Sequence, residues 1–507
     1  MKPNGQTETI AFLKSALAPG AAGSVELIET HLSRVFLAGD RALKMKRAIK
    51  LPYADFSTPE LRLAVCRNEV RLNHPSAPEL YLGVRRITRT PDGKLEFDGP
   101  GPLVDAVVEM KRFDQSLLLD ERARAGLLTP DLMVSVARMI AKFHDSAAVM
   151  HVGSGAANMA SILDVNRAAF LAGRLFSPTE VDALDTGFRS VLARHAALLD
   201  GRESLGKVRR CHGDLHLRNI CLLDGKPCLF DCIEFSDRIA TIDVLYDLAF
   251  LLMDLWHRAS PVLANLVMNR YLDETGDDGG FVLLPFFMGI RAAIRAHVSA
   301  TQAENGEPAS EDLVREARSY FDLATSLLSD HPPRLVAMGG LSGSGKSTIA
   351  EALAAHVGAP PGARIVESDR IRKALHGVQA ETRLPTEAYQ SAVSDAVYRE
   401  LERRGDLIIG RGGSAIVDAV FDRPDRRRRI ERVATDRGVL FHGVWLDAPP
   451  DMLRRRIEQR TSGPSDATVA VLSQQLHKDL GDITWHRLNA AKDPDGTVAD
   501  ILDFLRI

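Results

Sequence analysis

The run Gly340-Leu341-Ser342-Gly343-Ser344-Gly345-Lys346-Ser347-Thr348 constrains this chain more than any other segment, because it matches G-x-x-x-x-G-K-[ST] at every fixed position. Residues 335–338 before it read as a short buried strand, and residues 348–357 after it read as a helix stopped by Gly358. Strand, glycine loop and helix together form a phosphate cradle. Small residues let successive backbone N–H groups converge on the phosphates, Lys346 reaches the outer ones, and the Ser347 hydroxyl is a magnesium ligand. A flexible Gly/Ser linker would scatter its glycines without the Lys-Ser pair. A bound nucleoside triphosphate is therefore expected, held by Gly340, Ser342, Gly343, Ser344, Gly345, Lys346, Ser347 and Thr348.

With 507 residues the chain exceeds one ordinary core, and two or three domains are expected. A formal charge of −3 gives no basic excess, so a nucleic-acid partner is not expected. The five cysteines contain no C-x-x-C pair and are odd in number, which suits a reducing compartment. No secretory pattern opens the chain, and apolar runs such as residues 281–288 are short for a bilayer; a cytoplasmic protein without a membrane partner is expected.

The clearest break is Ser329-Asp330-His331-Pro332-Pro333, which divides the chain into domains 1–330 and 334–507. The first begins β-rich, with a Gly39-Asp40 turn between alternating runs predicting a hairpin. A helical pattern follows from Pro59 to Asn73, strands return at residues 103–110, and residues 311–328 read as a long helix. The run Arg426-Arg427-Arg428-Arg429 is short and follows Asp422 and Asp425, so it reads as a solvated helix face.

A second cluster stands in the first domain: His212-Gly213-Asp214-Leu215-His216-Leu217-Arg218-Asn219. Four residues separate Asp214 from Asn219, the spacing of a kinase catalytic loop, in which the Asp faces the acceptor hydroxyl and the Asn holds magnesium. A short strand then ends in Asp231, a second hard oxygen donor of the kind magnesium requires. This segment resembles the aminoglycoside phosphotransferase and choline kinase-like family, with its H-G-D-x-H-x-x-N brace and strand-borne Asp. The resemblance implies an α+β protein-kinase-like fold, a loop anchored by Asp247, a strand lysine on the phosphates and Glu69 as its helix-borne partner. Lys44 and Lys46 point to the same strand face, and the offset from Ala42 favours Lys44. No G-x-G-x-x-G loop is present; Thr30-His31-Leu32-Ser33 occupies that place.

In the second domain, residues 363–369 read as a strand running into Asp369, at the sheet edge where α/β proteins place their chemistry. Locally, Asp369 reads equally as a helix cap or as a proton acceptor. Ser368-Asp369-Arg370-Ile371-Arg372 is similar to the S-D-x-x-R of gluconate kinase, zeta-toxin and polynucleotide kinase-type enzymes, which implies an α/β P-loop kinase with a parallel sheet and Asp369 on the acceptor side. By the same resemblance Asp418, ending another strand, is the magnesium candidate, and Arg456 and Arg460, on one face of a helix over residues 451–460, are the arginines of a lid. No N-K-x-D guanine motif is evident, which favours ATP.

Taken whole, the chain resembles two-domain bacterial proteins that join an aminoglycoside phosphotransferase-like domain to an ATP-binding P-loop kinase. The resemblance implies two ATP- and Mg²⁺-dependent sites acting on small hydroxylated molecules. The alternatives are that one domain is a nucleotide sensor or ATPase regulating the other, or that the P-loop remodels a macromolecular partner.

Overall fold

The computed structural model describes residues 6–17, 25–51, 54–305, 310–460 and 463–507. Two compact units emerge: Met1–Gly155 with Arg202–Leu251, and Ala156–Gly201 with Leu252–Ile507.

The first unit is built on a six-stranded antiparallel sheet, ordered Glu26–Glu29, Ser33–Ala38, Arg41–Lys46, Leu103–Lys111, Tyr81–Arg89 and Leu95–Phe97. Ala38 pairs with Arg41, which leaves Gly39-Asp40 as the two-residue turn. Gly39 has φ +57°, the left-handed geometry such a turn needs. The helix Pro59–Asn73 starts at Thr58, whose hydroxyl accepts the Leu61 N–H, with proline in its first turn. Its apolar face, including Cys66, packs with Ala106 and Val108 of the sheet. Beyond the sheet, the hairpin of Ile220–Leu223 and Lys226–Leu229 and the pair Val208–Arg210 with Thr241–Asp243 frame the loop 211–219.

The second unit holds a five-stranded parallel sheet in the order Arg364–Glu367, Ala415–Asp418, Arg334–Gly339, Leu440–Asp447, His486–Asn489. Helices Lys346–Ala354 and Pro494–Leu505 cover one face through a core of Val336, Met338, Leu353, Ile416, Leu446 and Ile501. The strand before the loop therefore lies in the middle of the sheet, with the glycine run at its carboxyl end.

One helical stretch among the described residues, Asp278–Glu304, is long and apolar enough by length and composition to cross a membrane; 67% of its apolar window is buried within the chain. The arginine run corrects the sequence reading. It lies on the helix Pro424–Arg437, but Arg426 and Arg427 are buried. Arg426 binds Asp422 and Asp395 and lies over the Tyr398 ring, and Arg427 donates to the carbonyls of Phe421, Leu480 and Asp482. Half of this charge run is structural glue rather than solvated surface.

Candidate active sites

In the second unit, the glycine loop turns through left-handed backbone at Gly343 (φ +85°) and Gly345 (φ +89°). A β-carbon at Gly343 would stand 2.6 Å from the Leu453 carbonyl oxygen, so only glycine fits this approach. Lys346 Nζ donates to the carbonyls of Gly340 (2.9 Å) and Leu341 (3.1 Å), folding back over the loop it belongs to. Burial pushes its pKa down, against the pull of Asp418, Asp369 and Glu367. Ser347 Oγ donates to Asp418 Oδ2 at 2.6 Å and lies 3.2 Å from Glu367 Oε1. Thr348 follows in the first turn of the helix Lys346–Ala354 and is exposed. Ser342 lends its backbone N–H to Gln475 Oε1 at 2.9 Å.

Burial drives the Asp418 carboxyl up to about 6 and that of Glu367 up to about 8. Two buried carboxylates and a hydroxyl thus meet at the ends of adjacent strands, a set of hard oxygen donors that suits magnesium. The buried Ser344 Oγ has no hydrogen-bond partner among the described residues, as suits a loop shaped to receive phosphate oxygens. Glu367 was not singled out from the sequence; its position directly before Ser368-Asp369 at a strand end was the available signal.

Asp369 lies in the first turn of the helix Ser368–Leu375, whose N-cap position is Glu367, with no side-chain cap bond. Its charge acts on Lys346, Glu367 and Asp418. The two lid arginines need a correction. The helix is Pro450–Gln459, and Arg460 sits past its end in extended backbone (ψ 118°), so Arg456 and Arg460 share no helix face. Arg456 still reaches the loop, with Nη1 3.4 Å from the Ser344 carbonyl and Nη2 donating to Ala490 O at 2.8 Å. Arg460 donates to Ala467 O at 2.5 Å, and its charge bears on Lys346.

In the first unit, Asp247 fixes the loop 212–219: its Oδ2 accepts the His212 N–H at 3.0 Å and its Oδ1 the Gly213 N–H at 2.9 Å. The Asp214 N–H points to His212 Nδ1 at 3.3 Å, so Nε2 carries the proton donated to the Phe230 carbonyl at 2.9 Å. Burial lowers the His212 pKa and keeps the ring neutral, in a bracing role. Asn219 Nδ2 donates to both the carbonyl and Oδ2 of Asp214, each at 2.9 Å.

Asp231 adopts φ +59°, a left-handed backbone unusual for a non-glycine residue. The turn is gripped by two bonds: the Asp231 N–H donates to Tyr81 Oη at 3.0 Å and the Cys232 N–H to Asn73 Oδ1 at 2.9 Å. Lys44 Nζ binds Glu69 Oε1 at 2.8 Å and also pairs with Asp231. Lys46 Nζ meets Glu69 Oε2 at 2.6 Å and turns to Glu234 instead. The two lysines together hold the Glu69 carboxyl down at about 2 although burial opposes it. The side chains of Asp214 and Asp231 are 42% and 40% exposed, whereas Glu69 and Glu234 are buried, so of these four carboxylates the former pair is open to solvent. Glu234 was missed in the sequence because its acidic neighbours gave it no distinguishing spacing.

Residues 115–280 match the family described as "Phosphotransferase enzyme family", and residues 335–478 match the family described as "AAA domain". The chain is a kinase carrying two phosphotransfer-type domains: a protein-kinase-like aminoglycoside phosphotransferase domain, then an α/β P-loop kinase domain with a parallel sheet. Uncharacterized proteins of Mycobacterium tuberculosis and Mycobacterium bovis are 30% identical to it over 479 residues, covering 92% of this chain and 92% of theirs. The chain belongs to the same family as these mycobacterial proteins. An adenylyl-sulfate kinase of Myxococcus xanthus is 28% identical over 152 residues, which is 29% of this chain and 78% of that protein. Among solved structures, a choline/ethanolamine kinase family protein from Mesorhizobium loti aligns with a TM-score of 0.40 and 16% identity, over 63% of this chain and 95% of its own. A gluconokinase from Sinorhizobium meliloti aligns at 0.24 and 23%, over 35% and 94%.

Proposed function

We propose that this protein is an ATP- and Mg²⁺-dependent phosphotransferase with two active sites, each transferring a γ-phosphoryl group to a hydroxyl of a small molecule. The functional halves are residues 1–330 and 334–507. One observation carries the reading: each unit assembles its own lysine, its own hard oxygen donors and its own carboxylate for an incoming hydroxyl. In the first, Lys44 held by Glu69 contacts the phosphates, Asn219 and Asp231 are the magnesium ligands, and Asp214 receives the acceptor proton. In the second, Lys346, Arg456 and Arg460 neutralise the transferring group, Ser347 and Asp418 hold magnesium, and Asp369 receives the proton. Magnesium, when bound, neutralises the triphosphate oxygens. The acceptor oxygen bonds to the γ-phosphorus as the bridging P–O bond to the β-phosphate breaks, and ADP leaves. All five cysteines are buried thiols, in keeping with a cytoplasmic setting.

The test is a screen of metabolite pools with γ-labelled ATP, using wild type, Asp214→Ala and Asp369→Ala proteins. Labelled hydroxylated products are expected from the wild type, with a different product lost in each variant. Products that survive unchanged in both variants would overturn the assignment.

A further inference from the structure

The strand Arg364–Glu367 is the edge of the parallel sheet and delivers Glu367 to the P-loop site. Its first side chain, Arg364, is 1% exposed. A buried guanidinium needs fixed partners, and this one finds them far away in sequence. Its Nη2 donates to Asp273 Oδ1 at 2.7 Å, its Nε to Asp278 Oδ1 at 2.8 Å and its Nη1 to Asn269 Oδ1 at 2.9 Å. Asn269 and Asp273 lie one turn apart on the helix Pro261–Thr275, inside the stretch matched by the phosphotransferase family. That helix also closes the open edge of the sheet. Asn269 Oδ1 accepts the Ile365 N–H at 2.7 Å, and Asn265 Nδ2 donates to Pro361 O at 2.9 Å and Ala363 O at 3.1 Å.

Asp273 does more than neutralise Arg364. Its Oδ2 accepts from Arg270 Nη1 at 2.9 Å and lies 3.6 Å from Arg370 Nε. Arg370 Nε in turn donates to Glu367 Oε2 at 2.9 Å, and the other Glu367 oxygen faces the Ser347 hydroxyl at 3.2 Å. Arg270 reaches Glu351 on the P-loop helix at 2.9 Å. Three guanidiniums therefore converge on one carboxylate, and a short relay of contacts runs from that carboxylate to the hydroxyl on the magnesium side of the site.

We propose that Asp273 is a positioning residue of the P-loop kinase site: it holds Arg370 so that Glu367 stays against Ser347. The helix Pro261–Thr275 is thereby a working part of the P-loop site, although its sequence belongs to the phosphotransferase segment. The inference rests on the reading of Ser347 and Asp418 as the magnesium-side groups. Without the Asp273 charge, Arg370 gains freedom and Glu367 loses its fixed position against Ser347, which disfavours a bound cation.

Asp278 supplies the control. It shares Arg364 with Asp273, but its second oxygen binds Arg404 and leads away from Glu367. In the full-length protein, the Mg²⁺ dependence of binding a fluorescent ATP analogue is titrated, following the component that Lys346→Ala removes, together with the melting temperature of the free protein. Asp273→Asn and Asp278→Asn are both expected to lower the melting temperature. Only Asp273→Asn is expected to raise the Mg²⁺ needed for half-saturation, by about tenfold, with partial recovery in Asp273→Glu. Arg370→Gln breaks the same relay from a half-buried position, and the same Mg²⁺ shift is expected there, which keeps the test open should Asp273→Asn fail to fold. Equal Mg²⁺ shifts in Asp273→Asn and Asp278→Asn, or no shift in Arg370→Gln, would overturn the proposal. Analogue binding wholly indifferent to Lys346→Ala would instead defeat the P-loop reading itself, and the proposal with it.

Discussion

Asp247 shows how a residue remote from the chemistry can decide it. Its two oxygens take the N–H groups of His212 and Gly213, and His144 Nε2 faces it at 3.1 Å, so the loop bearing Asp214 hangs from one buried carboxylate. Asp247→Ala would take the carboxylate acceptor away from two buried N–H donors, at a cost of about 1–3 kcal/mol each. A marked fall in melting temperature is expected, accompanied by loss of turnover at the first site. Asp214→Ala, whose side chain is 42% exposed, is expected to lose turnover with little change in melting temperature. Thermal denaturation beside a turnover assay separates the two; equal melting temperatures for both variants would contradict this account of the loop. At this scale the sequence was legible where spacing brings side chains together, as in Asp214 with Asn219, which the structure joins by a hydrogen bond. It was silent on Glu367, Glu234 and Asp273, because a carboxylate that works by meeting a distant arginine or lysine has no local pattern.

At the scale of elements, legibility followed local physics. The helix Pro59–Asn73 carries its own start signal in Thr58 and Pro59, and the Gly39-Asp40 turn its own conformational demand; both stand where the residues predict them. Arg426, Arg427 and Arg460 were misread because burial and helix ends are set by tertiary partners. Arg460, for instance, is drawn beyond the helix end to the Ala467 carbonyl. The helix Leu284–Asn305 adds a pH consequence. His297, facing Asn166 Oδ1 at 3.2 Å and the Phe170 ring, is pushed down to about 4 by burial. A histidine whose folded pKa is depressed lets the unfolded chain bind the proton first. Stability from this group is therefore intact above its ordinary value of about 6.5 and declines as the pH falls from there towards 4, by on the order of 2–3 kcal/mol in all. Melting temperatures measured between pH 7 and 4 are expected to fall less steeply in His297→Gln; identical slopes would contradict the burial argument.

At the scale of the molecule, both sites are assembled from segments far apart in the chain. The first joins a strand at residues 41–46, a helix at 59–73 and a loop at 211–234, and the second joins residues 340–348, 364–372, 415–418 and 450–460. The composition break at 329–333 marks where the P-loop segment begins, but the helices that pack with that segment are chosen by side chains such as Arg364, almost a hundred residues from their partners. The family comparison supports two kinase-type domains, and the central claim is that both turn over ATP. The direct measurement is Mg²⁺-dependent ATP consumption, with a hydroxylated metabolite pool as acceptor, by the wild type, Asp214→Ala, Asp369→Ala and the double variant. Each single variant is expected to keep part of the activity and the double variant to lose it by at least about a hundredfold. Consumption that persists in the double variant would contradict the account.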